Sequence, residues 1–313
     1  MSLRVYYSAD EFAREQERSC VATLGTFDGI HLGHAAIFSQ LEDKAAALSL
    51  PPVVITFDPH PRVLVTPDDP PRLLTTTDEK IDFLRAQFDG SVVILKFDDR
   101  LRQMTADQFA HDVLVGKFGI KALVVGHDHS FGHRRTGNID KLREIGAREG
   151  FDVEVVGPIT YRGEPISSSR IRRAILASQW SDAREMLGHP YSIRGKVIRG
   201  LGLGRKMGWP TANIDWSERK LLPSQGVYSC TVAVNGDMHL GMMFIGVNML
   251  NPEKTVSVEA NLFEFDRDIY DADMTVFPLD FVRPNTRFPS TAELAAQIGK
   301  DKGNIIQLLK NEE

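Results

Sequence analysis

Along its first 185 or so residues the chain alternates short, wholly apolar runs with amphipathic stretches. The apolar runs are VATL (21–24), PVVITF (52–57), SVVILKF (91–97), ALVVG (122–126) and VEVVG (153–157). Strands apolar on both faces belong to parallel sheets covered by helices on two sides, so these five are read as buried parallel strands. The stretches between them carry helix punctuation. In TADQFAHDVLVGKFG, Thr105 and Gln108 form a capping box and Gly119 stands at the C-terminal end. TTTDEKIDFLRAQFDG pairs Thr76 with Glu79 and runs out at Asp89 and Gly90. Alternating strand and helix predict a doubly wound α/β sheet.

Past LGHPYS (187–192) the periodicity changes. YSIRGKVIRG, GVYSCTVAVNGDMHLGMMFIG, KTVSVEANLFEF and MTVFPLDFV are strand-like, and Asn235-Gly236 between two apolar runs is a hairpin signal. These predict an antiparallel barrel, closed or nearly so. The closing segment STAELAAQIGKDKGNIIQLLK, capped by Ser290 and Glu293, predicts a C-terminal helix over that barrel. The expected domains are residues 1–186 and 187–313.

With 313 residues and 42% hydrophobic content, two cores are affordable. Lys plus Arg number 37 against 42 Asp plus Glu, and there is no block of like charge, which argues against a nucleic-acid or membrane-surface partner. Cys20 and Cys230 form neither a zinc spacing nor a disulfide framework, as in a reducing compartment. The N-terminus lacks the apolar core of a signal peptide, and no run of about 18 apolar residues occurs. A cytoplasmic protein is expected; oligomeric state is not legible.

The chemistry concentrates in GTFDGIHLGH, Gly25 to His34. If VATL is a parallel strand, this loop lies at its carboxyl end, where open α/β sheets bind ligands, and HAAIFSQLEDKAAAL is the helix beyond. A helix N-terminus offers free N–H groups and partial positive charge, and His31 and His34 would aim imidazole donors at the same anion. That arrangement suits in-line attack on a nucleotide α-phosphate. Alone, H-x-G-H reads equally as a glycine-rich turn with two surface histidines.

The longer stretch resembles the signature of the HxGH nucleotidylyltransferases, above all the adenylylating module of the bacterial bifunctional riboflavin kinase/FAD synthetases. Further matching pieces follow in order: TFDPHPR (56–62), VVGHDHSFG (124–132) and ISSSRIR (166–172). The resemblance implies that His31 and His34 stabilise the transition state as FMN phosphate attacks ATP. It implies ATP contacts from Gly25, Phe27, Asp28 and Gly33, and flavin contacts from His60 and Asp128. Ser167, Ser168 and Ser169 with Arg170 and Arg172 suit the β- and γ-phosphates of ATP, with Mg²⁺ accompanying the nucleotide. By themselves they also read as an ordinary serine cap with solvated arginines. His129 and Ser130 stand where the family usually has an aromatic or basic residue. His127, Asp128, His129 and His133 are weak candidates for zinc.

GKVIRGLGLGRKMGWPTANI (195–214) is rich in glycine and lysine but completes neither G-x-x-x-x-G-K-[ST] nor G-x-G-x-x-G. It matches the riboflavin kinase pattern ending in PTAN, which implies ATP contacts from Gly195, Lys196, Gly204, Arg205, Gly208 and Pro210. Thr211 and Asn213 alternate to one face of an extended segment and offer oxygen ligands for Mg²⁺. In VSVEANLFEFDRDIY, Glu259 matches the family's catalytic carboxylate, a general base for the ribityl 5′-hydroxyl. Flanked by apolar Val258 and Ala260, it reads otherwise as a solvent-facing strand glutamate. The chain departs from the pattern at Phe244, where relatives show asparagine, in NMLNPEKT, which lacks an arginine motif, at Asn285 for an acidic residue and at Asp271 for glycine. Arg283 and Phe288 are kept.

The expected function is therefore bifunctional: ATP phosphorylates riboflavin to FMN, and a second ATP adenylylates FMN to FAD. The alternatives are a monofunctional FMN adenylyltransferase whose barrel only binds flavin or nucleotide, and a non-catalytic flavin carrier.

Overall fold

The computed structural model describes residues 3–15, 19–129, 132, 137–200, 202–247 and 256–310. They form two compact units, Met1–Ser168 and Ser169–Glu313.

In the first unit six strands form one parallel sheet: β1 (Arg4–Tyr6), β2 (Cys20–Leu24), β3 (Pro52–Asp58), β4 (Ser91–Lys96), β5 (Ile120–Gly126) and β6 (Asp152–Val156). Their order is β1-β4-β3-β2-β5-β6, every pair parallel. The longer helices are α1 (Ala9–Glu15), α2 (Leu32–Leu48), α3 (Thr77–Gln87), α4 (Ala106–Gln108, continuing as a π-helix over Phe109–Val115) and α5 (Ile139–Glu149). Ile37, Phe38, Leu41 and Ala45 of α2 and Ile81 and Leu84 of α3 pack on one face of the sheet. Phe12 of α1, Phe109 and Leu114 of α4, and Leu142 and Ile145 of α5 pack on the other. The doubly wound reading holds.

Both capping boxes form: Thr76 and Glu79 start α3, Thr105 and Gln108 start α4, each with reciprocal backbone hydrogen bonds. Gly119 takes up the left-handed conformation, φ 59°. Three details depart from the sequence reading. Beyond its first turn α4 is a π-helix, with the Gly116 N–H donating to the His111 carbonyl five residues back (2.9 Å). β1 is an additional edge strand, three residues long and paired to β4. At the other edge β6 is only half-buried rather than covered on both faces, and its polar residues meet α2: Gln40 donates to Glu154, and Lys44 pairs with Asp152 at 3.5 Å.

In the second unit β7 (Ile193–Ile198), β8 (Ala212–Trp216), β9 (Gly226–Val234), β10 (Asp237–Gly246), β11 (Ser257–Leu262) and β12 (Asp273–Arg283) close a barrel in the order β8-β11-β10-β9-β12-β7. All its pairs are antiparallel. Asn235 (φ 53°) and Gly236 (φ 86°) make the two-residue turn between β9 and β10, with Val234 facing Asp237. Tyr228, Cys230, Val232, Met243, Val258, Ala260, Met274, Val276 and Ile193 fill the interior. The expected C-terminal helix is α8 (Thr291–Lys310), its Glu293 N–H donating to the Ser290 hydroxyl at 3.2 Å. It lays Ile298, Ile305 and Ile306 against Val227, Met242 and Phe263. Two helices precede the barrel, α6 (Ser168–Leu176) and α7 (Trp180–Leu187). The Trp180 ring meets Tyr228 edge-on at 5.8 Å. The division by compactness falls at the start of α6; the change in periodicity falls after α7.

Candidate active sites

In the first unit the chain leaves β2 for β3 on one side and sets β5 on the other, so the strand order reverses at β2 and a crevice opens at the carboxyl edge. The loop there is built from tight backbone. Phe27 (φ 46°), Gly29 (φ 88°) and Ile30 (φ 38°) all lie in the left-handed region. A β-branched residue such as Ile30 does so only when its surroundings hold it. The holding groups come from residues 74–80. The Asp28 carboxylate, buried, accepts from the Leu74 and Thr75 amides (2.9 and 3.0 Å), and the Gly29 amide donates to the Thr75 hydroxyl (3.0 Å). Asp28 therefore spends one carboxylate oxygen on shaping the loop.

Helix α2 begins at Leu32, two residues earlier than the sequence reading, with His31 as its N-cap residue. The imidazoles of His31 and His34 stack, centroids 3.6 Å apart and planes 18° from parallel. Phe27 stands edge-on to His34 at 5.3 Å, and Gly33 lies against His31, where a Cβ would come within 3.1 Å of the ring. Gly25, between β2 and the loop, faces the Phe27 ring. Among the described residues nothing hydrogen-bonds the buried His34 Nδ1. Burial first, then the neighbouring His31 and Lys80, hold the His34 pKa well below the ordinary histidine value. The ring is neutral at pH 7. A neutral imidazole on a helix N-terminus is a hydrogen-bonding wall for an anion that costs no proton.

The remaining expected residues distribute as follows. The Ser168 hydroxyl donates to the Asp28 carbonyl (2.9 Å); Ser167 precedes it in the chain, and Ser169, Arg170 and Arg172 follow along α6. His60 lies just past β3, its Nδ1 accepting from the Arg62 amide at 3.2 Å. Asp128 is exposed in the turn after β5, its carboxylate beside Gly126. No cluster of three or more metal-ligating side chains occurs among the described residues; Ser130 and His133 lie outside them.

Sequence reasoning missed Lys80. Its ammonium is buried beneath the loop and donates to the Thr26 carbonyl (2.6 Å) and the Thr56 hydroxyl (3.1 Å). Burial lowers its pKa to about 8, against the opposing pull of Asp28 and Asp58. A signal was available: Lys80 and Leu84 are four apart, so they share the face of α3 that packs on the sheet.

In the barrel, Glu259 on β11 sits opposite Asn213 of β8 on one side and Phe244 of β10 on the other. Its carboxylate accepts from the Thr211 hydroxyl and the Ser257 hydroxyl, each at 3.2 Å. Val258 and Ala260 point to the interior, so Glu259 faces away from it and is half-buried. The glycine-rich segment closes over this group. A Cβ on Gly204 would lie 2.3 Å from the Trp209 carbonyl, so that position admits no side chain without moving the backbone, and one on Gly200 would lie 2.3 Å from the Asn213 amide, which would have to turn away. Gly208 turns with φ 81°, and the Asn261 amide fixes the Pro210 carbonyl at 2.6 Å. Gly195 and Lys196 lie on β7 opposite Trp216 and Asp215; Lys196 and Arg205 are exposed. A hydroxyl, an amide oxygen and a carboxylate converge here, an oxygen set that fits a magnesium-bound nucleotide.

The departures from the kinase pattern are also placed. Phe244 and Asn285 meet over Gly246, where a Cβ would lie 2.3 and 2.6 Å from them, and the Asn285 amide donates to the Ile245 carbonyl (3.1 Å). Asp271 adopts φ 63°, the left-handed conformation in which glycine is at ease. Residues 248–255, which hold NMLNPEKT, lie outside those described. Arg283 is kept, its guanidinium bonded to the buried Asp301 of α8 at 2.8 Å and 5.6 Å from the Phe288 ring.

An imidazole pair at the switch point of a doubly wound sheet and a carboxylate-hydroxyl-amide group on a closed barrel make two separate candidate sites in one chain. Residues 13–170 match the FAD synthetase family and residues 187–309 the riboflavin kinase family. The chain is 35% identical over 289 residues to a bifunctional riboflavin kinase/FMN adenylyltransferase of Pseudomonas fluorescens, covering 92% of each. It is 34% identical over 287 residues to the protein of that name from Escherichia coli, covering 91% of each. A solved structure titled macrolide-efflux protein, from Streptococcus pneumoniae, superposes with a TM-score of 0.83 at 28% identity, covering 97% of this chain and 98% of that one. The chain belongs to the bifunctional riboflavin kinase/FMN adenylyltransferase family, and it is a transferase.

Proposed function

We propose that residues 187–313 transfer the γ-phosphoryl group of ATP to riboflavin and that residues 1–186 join the resulting FMN to the adenylyl group of a second ATP. The stacked His31 and His34 imidazoles at the N-terminus of α2 are the observation that carries the adenylylating half. An FMN phosphate oxygen attacks the α-phosphorus, and the bond to the bridging oxygen breaks as pyrophosphate leaves. The imidazoles and the first amides of α2 stabilise the charge on the α-phosphoryl oxygens. Gly25, Phe27 and Gly33 shape the nucleotide cradle, with Asp28 fixing the loop. Ser167, Ser168, Ser169, Arg170 and Arg172 take the β- and γ-phosphates, and His60 and Asp128 face the flavin.

In the barrel Glu259 takes the proton of the riboflavin 5′-hydroxyl as that oxygen attacks the γ-phosphorus and ADP departs. Gly195, Lys196, Gly204, Arg205, Gly208 and Pro210 form the nucleotide loop. Thr211 and Asn213 would hold Mg²⁺, which, when bound with ATP, neutralises phosphate charge. The substrates are riboflavin, FMN and ATP. Buried free cysteines, and the fact that no described helix is long and apolar enough to cross a membrane, fit a cytoplasmic enzyme.

Phe244 opposite Glu259, with Asn285 bonded to the neighbouring Ile245 carbonyl, favours one other reading, an adenylyltransferase whose barrel binds without phosphorylating. One assay decides: protein with riboflavin, ATP and Mg²⁺, products resolved by chromatography. FMN and FAD together support the bifunctional reading; FAD from supplied FMN, without FMN from riboflavin, supports the other. His31→Ala is expected to cut FAD formation at least about 100-fold with FMN formation within about twofold, and Glu259→Ala to do the reverse. If both steps fall together in either variant, the assignment of roles to the two domains is wrong.

A further inference from the structure

Lys80 is a charged group of 6% exposure whose position the residues already given a role do not account for. It is delivered by the first turn of α3, which the Thr76–Glu79 capping box fixes: the Glu79 amide donates to the Thr76 hydroxyl at 3.3 Å, and the Thr76 amide to the Glu79 carboxylate at 2.8 Å. From there the ammonium crosses under the β2–α2 loop to the Thr26 carbonyl and the Thr56 hydroxyl, and that hydroxyl donates in turn to the same carbonyl at 3.3 Å. The Thr26 carbonyl immediately precedes Phe27, the left-handed residue whose ring borders His34. One buried cation thus joins α3, β3 and the loop that seats the imidazole pair.

Such a group is expensive to keep. An apolar residue of similar length would fill the space without the desolvation cost of a buried ammonium. What methionine could not do is hold the carbonyl and add a positive charge to the groups acting on the ring of His34. The charged groups acting on Lys80 are Asp28 from the loop and Asp58 from the end of β3. Those acting on His34 are His31 and Lys80.

We propose that Lys80 is a positioning residue of the adenylyl-transfer site: bonded to the Thr26 carbonyl, it holds the Phe27–Ile30 turn in its left-handed course from below and adds its charge to those acting on the imidazole pair that the turn seats. The proposal rests on the reading of His31 and His34 as the adenylylating pair. It requires that removing the ammonium harm adenylyl transfer in two separable ways. The loop loses its anchor, which misplaces the imidazoles, and the His34 ring becomes easier to protonate, which moves the acid limb of the rate toward neutrality.

The test uses the full chain in four forms: the parent, Lys80→Met, Lys80→Arg and His34→Ala. FMN-to-FAD conversion is measured from pH 5 to 9, with riboflavin phosphorylation in the same preparations as the control for folding, and His34 is titrated by NMR with labelled histidine. Lys80→Met is expected to lower kcat for adenylylation by about tenfold or more, the scale of a small misplacement of catalytic groups. Riboflavin phosphorylation should stay within about twofold, and both the acid limb and the His34 titration should move to higher pH. Lys80→Arg, which keeps the charge, should restore the acid limb even where its larger head leaves kcat reduced. If Lys80→Met lowers adenylylation less than about twofold, or lowers it while the acid limb and the His34 titration stay in place, the proposal is overturned. His34→Ala separates the two levels of inference. If it leaves FAD formation intact, the reading of the imidazole pair has failed; if it abolishes FAD formation while Lys80→Met does nothing, only the role of Lys80 has.

Discussion

His34 pays for its neutrality in the cold arithmetic of protonation. Its folded pKa lies well below the ordinary histidine value of 6.5, so between those two values the unfolded chain binds a proton that the folded chain refuses. Stability therefore rises with pH through that window and is fully present above about 6.5; it is lost as the pH falls below. Thermal unfolding followed from pH 5 to 7.5 should show the parent losing more stability on acidification than His34→Gln. Identical pH dependence in the two would contradict the burial assigned to this ring. A second residue carries a conformational prediction. Asp271, at φ 63°, occupies backbone that most side chains avoid, so Asp271→Ala should destabilise the barrel by about 1 kcal/mol while Asp271→Gly should not, as measured by denaturant midpoints at unchanged slope.

Among the elements, the glycine-rich loop before β8 is the most exacting. Gly204 faces the Trp209 carbonyl so closely that any side chain must push the loop off Thr211. Gly204→Ala is accordingly expected to cut FMN formation from riboflavin at least about tenfold and to leave FMN adenylylation unchanged, read in the two half-assays. The same elements show what a sequence discloses. The capping boxes at Thr76 and Thr105, the Asn235-Gly236 turn and the apolar runs of β2 to β5 were legible because each is decided by residues adjacent in the chain. The Gly25–His34 and PTAN stretches could be singled out as candidates because their residue types lie at close, fixed spacing in the chain. What escaped was settled by distant partners. β1 is three residues whose strand character comes from β4; the π-turn of α4 has no local marker; β6 looks buried until its place at the sheet edge is known. Lys80 belongs to this group, since only the packing of α3 beneath the loop turns a helix lysine into part of a site.

At the scale of the molecule, each unit holds one thiol in its core. Cys20 lies in β2 with its pKa pushed up to about 12 by burial, and Cys230 lies in β9, raised by the same cause. Neither should react with a thiol reagent at pH 8 while the fold persists, because the thiolate is the nucleophile. Labelling in increasing denaturant should therefore report the opening of the α/β unit through Cys20 and of the barrel through Cys230, read separately by peptide mass. Rapid labelling of either in native buffer would contradict the packing described. The switch-point crevice has a consequence of a different kind. Its walls come from the ends of β2 and β3 on one side and of β5 on the other, and β5 begins 100 residues after β2 does, with α3 between β3 and β5 in the chain. A fragment that stops short of β5 therefore lacks one wall, and during synthesis on the ribosome the crevice gains its second side only when β5 pairs with the free edge of β2.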